Sequence, residues 1–161
     1  MGFSLQVEGM DQLIRKMDQL AGNGAHVAAE ALYEGAGVMA DSISRAVDSI
    51  ATEPFHYVKG GQKRRASPEE KQIIKNAKKG VAKFRNNGTS IQTSVGMQNA
   101  GYAELSGKIK PIPLIANSIN SGTSFMQKQP FMRKAFSQTK AAAQAAIENG
   151  IRNREKELDI E

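Results

Sequence analysis

The side chains of this sequence that could do chemistry are mostly cations, and they are concentrated in one segment. Residues 59–85 hold ten lysines and arginines against two glutamates, whereas residues 1–58 hold three basic and eight acidic side chains. Cations clustered in this way predict a defined place on the surface rather than a general property of the chain. Eight of them are the candidate basic patch: Lys63, Arg64, Arg65, Lys71, Lys75, Lys78, Lys79 and Lys83.

Two interpretations of this basic patch stay open. The segment carries no interleaved aromatic side chains and no reader motif, so contact with a nucleic acid would go to the phosphate backbone, independent of sequence. Alternatively, the cations form a solvated helix face and loop, or they meet an acidic partner subunit.

Catalytic and metal-binding chemistry find little support. The chain has no cysteine, which excludes disulfides and thiolate metal sites. Its only histidines, His26 and His56, stand far apart, and neither lies beside a nucleophile elbow. Residues 101–108 do not match a phosphate loop, because five residues separate the two glycines and Ile109 stands where Ser or Thr must hold magnesium. We therefore expect no enzyme activity, no cofactor and no metal.

The composition predicts one domain with a modest core. The chain has 161 residues, 40% of them hydrophobic but only 6% aromatic, with no Trp. A core this thin is often completed by a partner subunit. The basic loop and the helix after it, at about residues 55–88, form an insertion into this domain. The absence of a long apolar run or secretory signal favours a protein made and assembled in the cytoplasm, without a membrane partner.

The N-terminal part predicts a strand and two helices. Apolar residues alternate over residues 3–7, and then recur at helical spacing over 10–20 and again over 25–50. Gly35 and Gly37 interrupt the last of these helices at about 1 kcal/mol each relative to alanine. They favour either a bend or the close approach of another backbone.

The middle of the chain predicts a loop, a helix and two strands. Residues 55–66 have no period and contain a Gly-Gly pair, so we expect a mobile loop. The Ser-Pro-Glu-Glu run at 67–70 is typical of a capping box, and the apolar spacing continues that helix towards Phe84. Strands follow at 89–97 and 102–109. The predicted fold class is α+β: a small antiparallel sheet packed against two N-terminal helices and a long C-terminal helix.

The remaining elements meet in residues 110–136, around which we expect the rest of the chain to be organised. Apolar residues here predict one short helix that stops at Gly122, where glycine takes a left-handed cap at little cost. A polar turn and a tether follow. Pro130 then suits the first position of an Ala-rich helix that runs to about Leu158, unless Gly150 breaks it.

The same segment carries a resemblance to a protein family. An apolar helix, then Gly-Thr at 122–123, a short polar spacer, Pro-Phe-Met-Arg at 130–133 and Ala-Phe at 135–136 resemble tailed-phage neck proteins. These are the small head–tail joining or tail-completion proteins of siphophages. The Val-Glu-Gly-Met-Asp opening at 7–11 is similar to the start of that family. The match covers roughly the last third of the chain, is looser over the first 50 residues and is absent at 59–85. Asn120 and Ser121 stand where many members carry an acidic–aromatic pair, and Lys134 where proline is common.

This resemblance implies a structural virion protein at the head–tail junction. It implies a homo-oligomeric ring through which DNA passes, with other phage neck and tail proteins as partners. The residues it places near a subunit boundary are Gly122, Thr123, Pro130, Phe131 and Met132. Two alternatives remain: a sequence-independent DNA-binding protein acting as a monomer or dimer, and a minor tail or capsid protein without DNA contact.

Overall fold

Two long helices packed side by side form the centre of the computed structural model, which describes residues 2–5, 24–81, 85–86, 91–97 and 100–158. Helix α1 spans Gly24–Ala46 and continues into a 3-10 turn at Val47–Ser49, close to the expected 25–50. The C-terminal helix, Phe131–Leu158, runs antiparallel to α1. The helix expected at residues 10–20 lies outside the described residues.

Apolar residues of the two long helices are buried where the helices face each other. On α1 they are Val27, Ala31, Leu32, Met39 and Ile43, and on the C-terminal helix they are Met132, Ala135, Ala143, Ile147 and Ile151. Residues of other elements complete the same core, among them Ile74 of a shorter helix, Val95 of a strand and Met126 of a loop. The central packing thus follows the 3.6-residue periodicity of the sequence.

Glycines allow the two long helices to approach closely. A Cβ added to Gly35 would lie 2.5 Å from Cγ1 of Ile147, and one added to Gly150 would lie 2.7 Å from Oε2 of Glu34. Gly35 therefore serves close backbone approach, which was one of its two interpretations, whereas Gly37 has nothing within 4 Å. Gly150 does not break the C-terminal helix, because it lies at this contact inside a continuous helix.

The main sheet is small and antiparallel. Strand β1 (Gly2–Leu5) and strand β2 (Gly80–Val81) pair with the two sides of β4 (Ile91–Gly96), and β3 (Arg85–Asn86) also pairs with β4. The face of β4 formed by Thr93 and Val95 is buried, as the alternating pattern predicts. Pairing of the first strand with the strand at 89–97 confirms this part of the α+β prediction.

The prediction that residues 102–109 form one further strand of this sheet is wrong. This segment forms a hairpin of β5 (Tyr102–Leu105) and β6 (Lys108–Pro111), which pair with each other in a separate two-stranded sheet. The two residues between them, Ser106 and Gly107, have φ of 53° and 73°. Positive φ at both positions is what a two-residue hairpin turn requires.

The helix of the basic segment is shorter than expected. Helix α2 spans Pro68–Asn76 and begins with the predicted capping box between Ser67 and Glu70. It does not continue towards Phe84, because Ala77 is already extended and residues 80–81 pair with β4 as a strand. Phe84 lies outside the described residues.

A short helix, α3, joins the hairpin to the last helix. It spans Ile112–Ser121 and buries Ile112, Ile115, Ala116 and Ile119. Leu114, which the apolar pattern placed on the same face, is 55% exposed. The C-terminal helix is α4 in chain order. The segment between α3 and α4, residues 122–130, is the tether on which the candidate site is built.

Candidate functional site

Two irregular segments, residues 50–67 and the tether, lie side by side. The backbone N–H of Arg64 donates to the carbonyl oxygen of Phe125 at 3.0 Å, and that of Gln127 donates to the carbonyl oxygen of Arg64 at 2.8 Å. The side-chain amide of Gln129 exchanges two hydrogen bonds with the backbone of Ala51, at 2.8 and 2.9 Å. These bonds anchor both ends of the loop that the sequence indicated as mobile.

The tether depends on the glycine and threonine that open it. Gly122 has φ 75° and ψ 167°, and a Cβ on it would lie 3.0–3.2 Å from atoms of Lys128. Gly122 thus ends α3 as expected, but in a backbone region restricted to glycine rather than in the left-handed helical cap. Oγ1 of Thr123 accepts a hydrogen bond from the N–H of Met126 at 3.0 Å, and the two backbones are also bonded.

Asn120 links the end of α3 to the start of α4. Its side chain is 3% exposed, and its Oδ1 accepts a hydrogen bond from the N–H of Met132 at 3.1 Å. This N–H lies in the first turn of α4, where backbone donors have no partner within the helix. Asn120 therefore caps α4 from a distant position in the sequence.

Arg64 is buried, and its charge is compensated within the chain. Its guanidinium donates to Oε1 and Oε2 of Glu70 at 2.7 and 2.8 Å, with the two side chains only 6% and 5% exposed. Burial raises the pKa of the Glu70 carboxyl, but hydrogen bonds from Arg64 and from the backbone N–H of Ser67 together lower it by more. The pKa of Glu70 therefore lies below its ordinary value. The assignment of Arg64 to an exposed basic patch is therefore corrected, since its guanidinium is not available to a phosphate.

Three lysines of the candidate patch also have partners inside the chain. Nζ of Lys71 donates to the carbonyl oxygens of Asp48 and Ile50, both at 2.9 Å. Nζ of Lys79 donates to two carbonyl oxygens near the end of α2 at 2.7 and 3.0 Å, and its burial lowers its pKa. Nζ of Lys75 lies 2.8 Å from Oδ1 of Asp48 and lowers the pKa of that exposed carboxyl. Lys71 and Lys79 thus bind carbonyl oxygens at or next to the ends of helical segments, where cations are favourable, and Lys75 binds a carboxylate.

The cations that remain open form a smaller group than the sequence indicated. Lys63, Arg65 and Lys78 are exposed and make no salt bridge within the described residues. Lys59, which was not a candidate, is exposed in the same loop. Lys83 lies outside the described residues. The accessible charge of the basic segment therefore lies in the loop, at Lys78 and at Arg85 rather than along one face of α2.

An aromatic pair that the sequence did not single out lies against Arg64. The rings of Phe55 and Tyr57 meet edge to face with centroids 5.3 Å apart, and Cζ of Arg64 lies 4.8 Å from the centroid of Phe55. The two aromatic residues are 48% and 92% exposed. They precede the first lysine of the basic segment, so a search for aromatics inside that segment misses them. The Phe-x-Tyr spacing just before it was the available signal.

The residues assigned to a subunit boundary do not share one environment. Phe131 and Met132 are 2% and 1% exposed and belong to the core of this chain, so they have almost no surface to offer a neighbour. Gly122, Thr123 and Pro130 are half-buried. Pro130 directly precedes the first residue of α4 rather than occupying it, because the helix begins at the next residue.

The described residues contain no group of three or more His, Asp or Glu side chains that could hold a metal ion. Nε2 of His26 lies 3.3 Å from Oε1 of Glu30 on the exposed surface of α1. Nδ1 of His56 lies 3.1 Å from the carbonyl oxygen of Pro54 in the exposed loop. Neither histidine lies next to a buried nucleophile in this part of the chain.

Within the described residues, no helix has the length and hydrophobicity needed to cross a membrane. Comparison with models of known protein families, with curated proteins and with solved structures gives no match. The arrangement around Arg64 and the tether is therefore the basis on which a function can be inferred.

Proposed function

We propose that this chain is a structural virion protein, a neck or tail-completion subunit of a long-tailed phage. In this function it forms a homo-oligomeric ring at the head–tail junction, next to other neck and tail proteins, and DNA passes through the ring. The proposal is supported by the position, in the fold, of the residues that resemble tailed-phage neck proteins. The Gly-Thr and Pro-Phe-Met motifs fall at the two ends of the tether, which joins α3, α4 and the basic segment.

The physical role of these motifs suits a structural subunit. Gly122 adopts a conformation closed to other residues, Thr123 closes a turn, and Phe131 and Met132 insert into the core. A rigid joint of this kind fixes the outer surfaces of the chain relative to one another. A closed ring requires such fixed geometry, because each heterologous contact must repeat at the same angle.

The ring needs contact surfaces, and the hairpin offers an apolar one. Tyr102 and Ile109 are 73% and 77% exposed on its outer face, and Leu114 of α3 is 55% exposed. Cross-strand pairing places Tyr102 opposite Pro111 and Ile109 opposite Glu104, so that these residues share one face. We therefore assign the subunit boundary to this face rather than to the buried Phe131 and Met132.

Contact with DNA in this proposal is made by the accessible cations of the loop and by Lys78, which follows α2. Lys59, Lys63, Arg65 and Lys78 would meet phosphate groups without reading bases. Substituting all four by Gln should leave the fold intact, since no core position changes, and should flatten the salt dependence of DNA binding by about one unit of slope per lost contact. The matched control is Lys134→Gln with Lys140→Gln, two exposed positions on α4.

The ring itself is tested by its mass. Light scattering on the purified protein should give a multiple of the 17.4 kDa subunit, with closed rings visible in negative stain, either alone or after addition of purified heads or tails. A protein that stays monomeric at high concentration and joins neither heads nor tails would refute the neck function.

Two other functions are separated by the same measurements. A sequence-independent DNA-binding protein, which the exposed cations favour, would bind DNA with a strong salt dependence as a monomer or dimer. A minor tail or capsid protein would assemble without salt-sensitive DNA binding. In that case the four cations would be a solvated surface or a contact with an acidic protein.

A further inference from the structure

We infer that Phe55 and Tyr57 form a stacking platform for the unpaired bases of single-stranded DNA. The inference goes beyond the proposed function, because a duplex passing through a ring presents phosphates to a cationic surface but keeps its bases stacked inside. It does not require the ring, and it rests on the geometry of the loop.

The platform is held in place from beneath. Glu70 fixes the guanidinium of Arg64 through two hydrogen bonds, and Arg64 lies against the ring of Phe55, 4.8 Å from its centroid. Phe55 in turn meets Tyr57 edge to face at an interplanar angle of 81°. Tyr57, of which 92% is exposed, is thus linked through Phe55 to the buried Arg64. An exposed aromatic ring that is restrained by such contacts loses less conformational entropy when it stacks on a base.

The surroundings of the platform fit an anionic chain. Residues 54–66 contain Lys59, Lys63 and Arg65, all exposed, and no acidic residue. Glu53, which directly precedes this segment, accepts a hydrogen bond from the backbone N–H of Arg65. Space for a base is also available, because Tyr57 is 92% exposed.

The combination favours single-stranded nucleic acid over an acidic protein. Proteins that bind single strands without sequence preference pair a cationic track with aromatic rings, since every base offers a π face and every nucleotide a phosphate. An acidic protein segment would complement Lys59, Lys63 and Arg65, but its carboxylates would gain nothing from the exposed face of Tyr57. Stacking on Tyr57 is therefore the property that distinguishes the two partners.

The test compares bases with the bare backbone. Fluorescence anisotropy is measured with a labelled oligothymidine of about a dozen nucleotides, and with an abasic oligomer of the same length and charge. We expect the wild-type protein to bind the oligothymidine about 5- to 160-fold more tightly than the abasic oligomer, the range given by one stacked base. Tyr57→Ala should remove that preference while leaving binding to the abasic oligomer unchanged.

The matched control is Tyr33→Ala, since Tyr33 is 58% exposed but lies on α1 next to Glu34. It should leave both affinities unchanged. Replacing Lys59, Lys63 and Arg65 by Gln should weaken binding to both oligomers alike. Urea unfolding checks that Tyr57→Ala keeps the stability of the parent, as its exposure indicates.

Three outcomes would overturn the inference. Equal affinity of the wild-type protein for oligothymidine and the abasic oligomer would exclude stacking. A base preference that survives Tyr57→Ala would place stacking elsewhere. Failure to bind either oligomer, together with binding of polyglutamate that is weakened by replacing Lys59, Lys63 and Arg65 with Gln but not by Tyr57→Ala, would identify an acidic protein as the partner. None of these depends on subunit mass, so ring formation by Tyr57→Ala shows separately whether the proposed function holds.

Discussion

The buried ion pair between Arg64 and Glu70 should be worth far more to this fold than its surface salt bridges. Both side chains are nearly excluded from solvent, and two hydrogen bonds of 2.7 and 2.8 Å join them. Arg64→Ala would leave the Glu70 carboxylate buried without its cation, which typically costs about 3–5 kcal/mol. For a chain of this size that loss corresponds to a fall in Tm of about 6–20 °C.

A double-mutant cycle separates the pair from its surroundings. Arg64→Met and Glu70→Gln should each destabilise the protein, whereas the double variant should be less destabilised than the sum, by a coupling of about 1–3 kcal/mol. Lys75→Gln with Asp48→Asn is the control cycle, because that pair is exposed and should couple by less than about 1 kcal/mol. Urea denaturation of all variants gives the free energies of unfolding. Additive effects of Arg64→Met and Glu70→Gln would refute the argument that the two charges stabilise each other.

The pair also predicts how stability depends on pH. The pKa of Glu70 is lowered from its ordinary value of 4.5, chiefly because hydrogen bonds from Arg64 and Ser67 outweigh the opposing effect of burial. Its contribution is therefore fully present above pH 4.5 and is lost as the pH falls through the lower pKa of the folded state. Below pH 4.5 the stability of the parent should fall more steeply than that of Glu70→Gln. Parallel curves would show that Glu70 does not titrate abnormally.

Three further substitutions test the packing described above. Gly35→Ala should destabilise the protein by about 1–3 kcal/mol because the new methyl overlaps α4, whereas Gly37→Ala, with open space around it, should stabilise it by about 0.5–1 kcal/mol. Equal Tm shifts of the two variants would refute the close approach of α1 and α4 at Gly35. Phe131→Ala should cost about 3–5 kcal/mol because its ring is buried in the core, whereas Phe125→Ala, which removes an exposed ring, should cost less than about 0.5 kcal/mol. An unchanged Tm of Phe131→Ala together with lost assembly would instead place Phe131 at the subunit interface. Asn120→Ala should cost about 1 kcal/mol through loss of the cap on α4, and no change in urea unfolding would show that the cap is dispensable.

Elements with a strong local period could be predicted from the sequence. The stripes of α1 and α4, the capping box at Ser67 and the stop at Gly122 all follow from patterns within a few residues. The hairpin was missed because alternation alone cannot show where a strand turns back. The sequence feature that marks the turn is Ser106-Gly107, since these two residues adopt the positive φ angles that close it.

The environment of each cation could not be predicted in the same way. Arg64 and Lys63 are neighbours in the sequence and equally basic, yet one is buried against Glu70 and the other is exposed. That difference arises from the pairing of Arg64 with Phe125 and Gln127, more than 60 residues further along the chain. Long-range backbone pairing decides which face of an extended segment turns inward, and charge patterning carries no information about it.

The internal pairing of the basic segment changes where an anionic partner can bind. Lys71, Lys75 and Lys79 are held by carbonyl or carboxylate oxygens around α2, so a polyanion would have to displace those bonds to use their charge. The loop cations have no such competition, and they follow the aromatic pair within the same loop. The tether, the buried ion pair and the accessible cations are thus one connected arrangement. A variant that loosens the tether, such as Gly122→Ala, should therefore weaken DNA binding as well as stability, although Gly122 touches no DNA in either proposal.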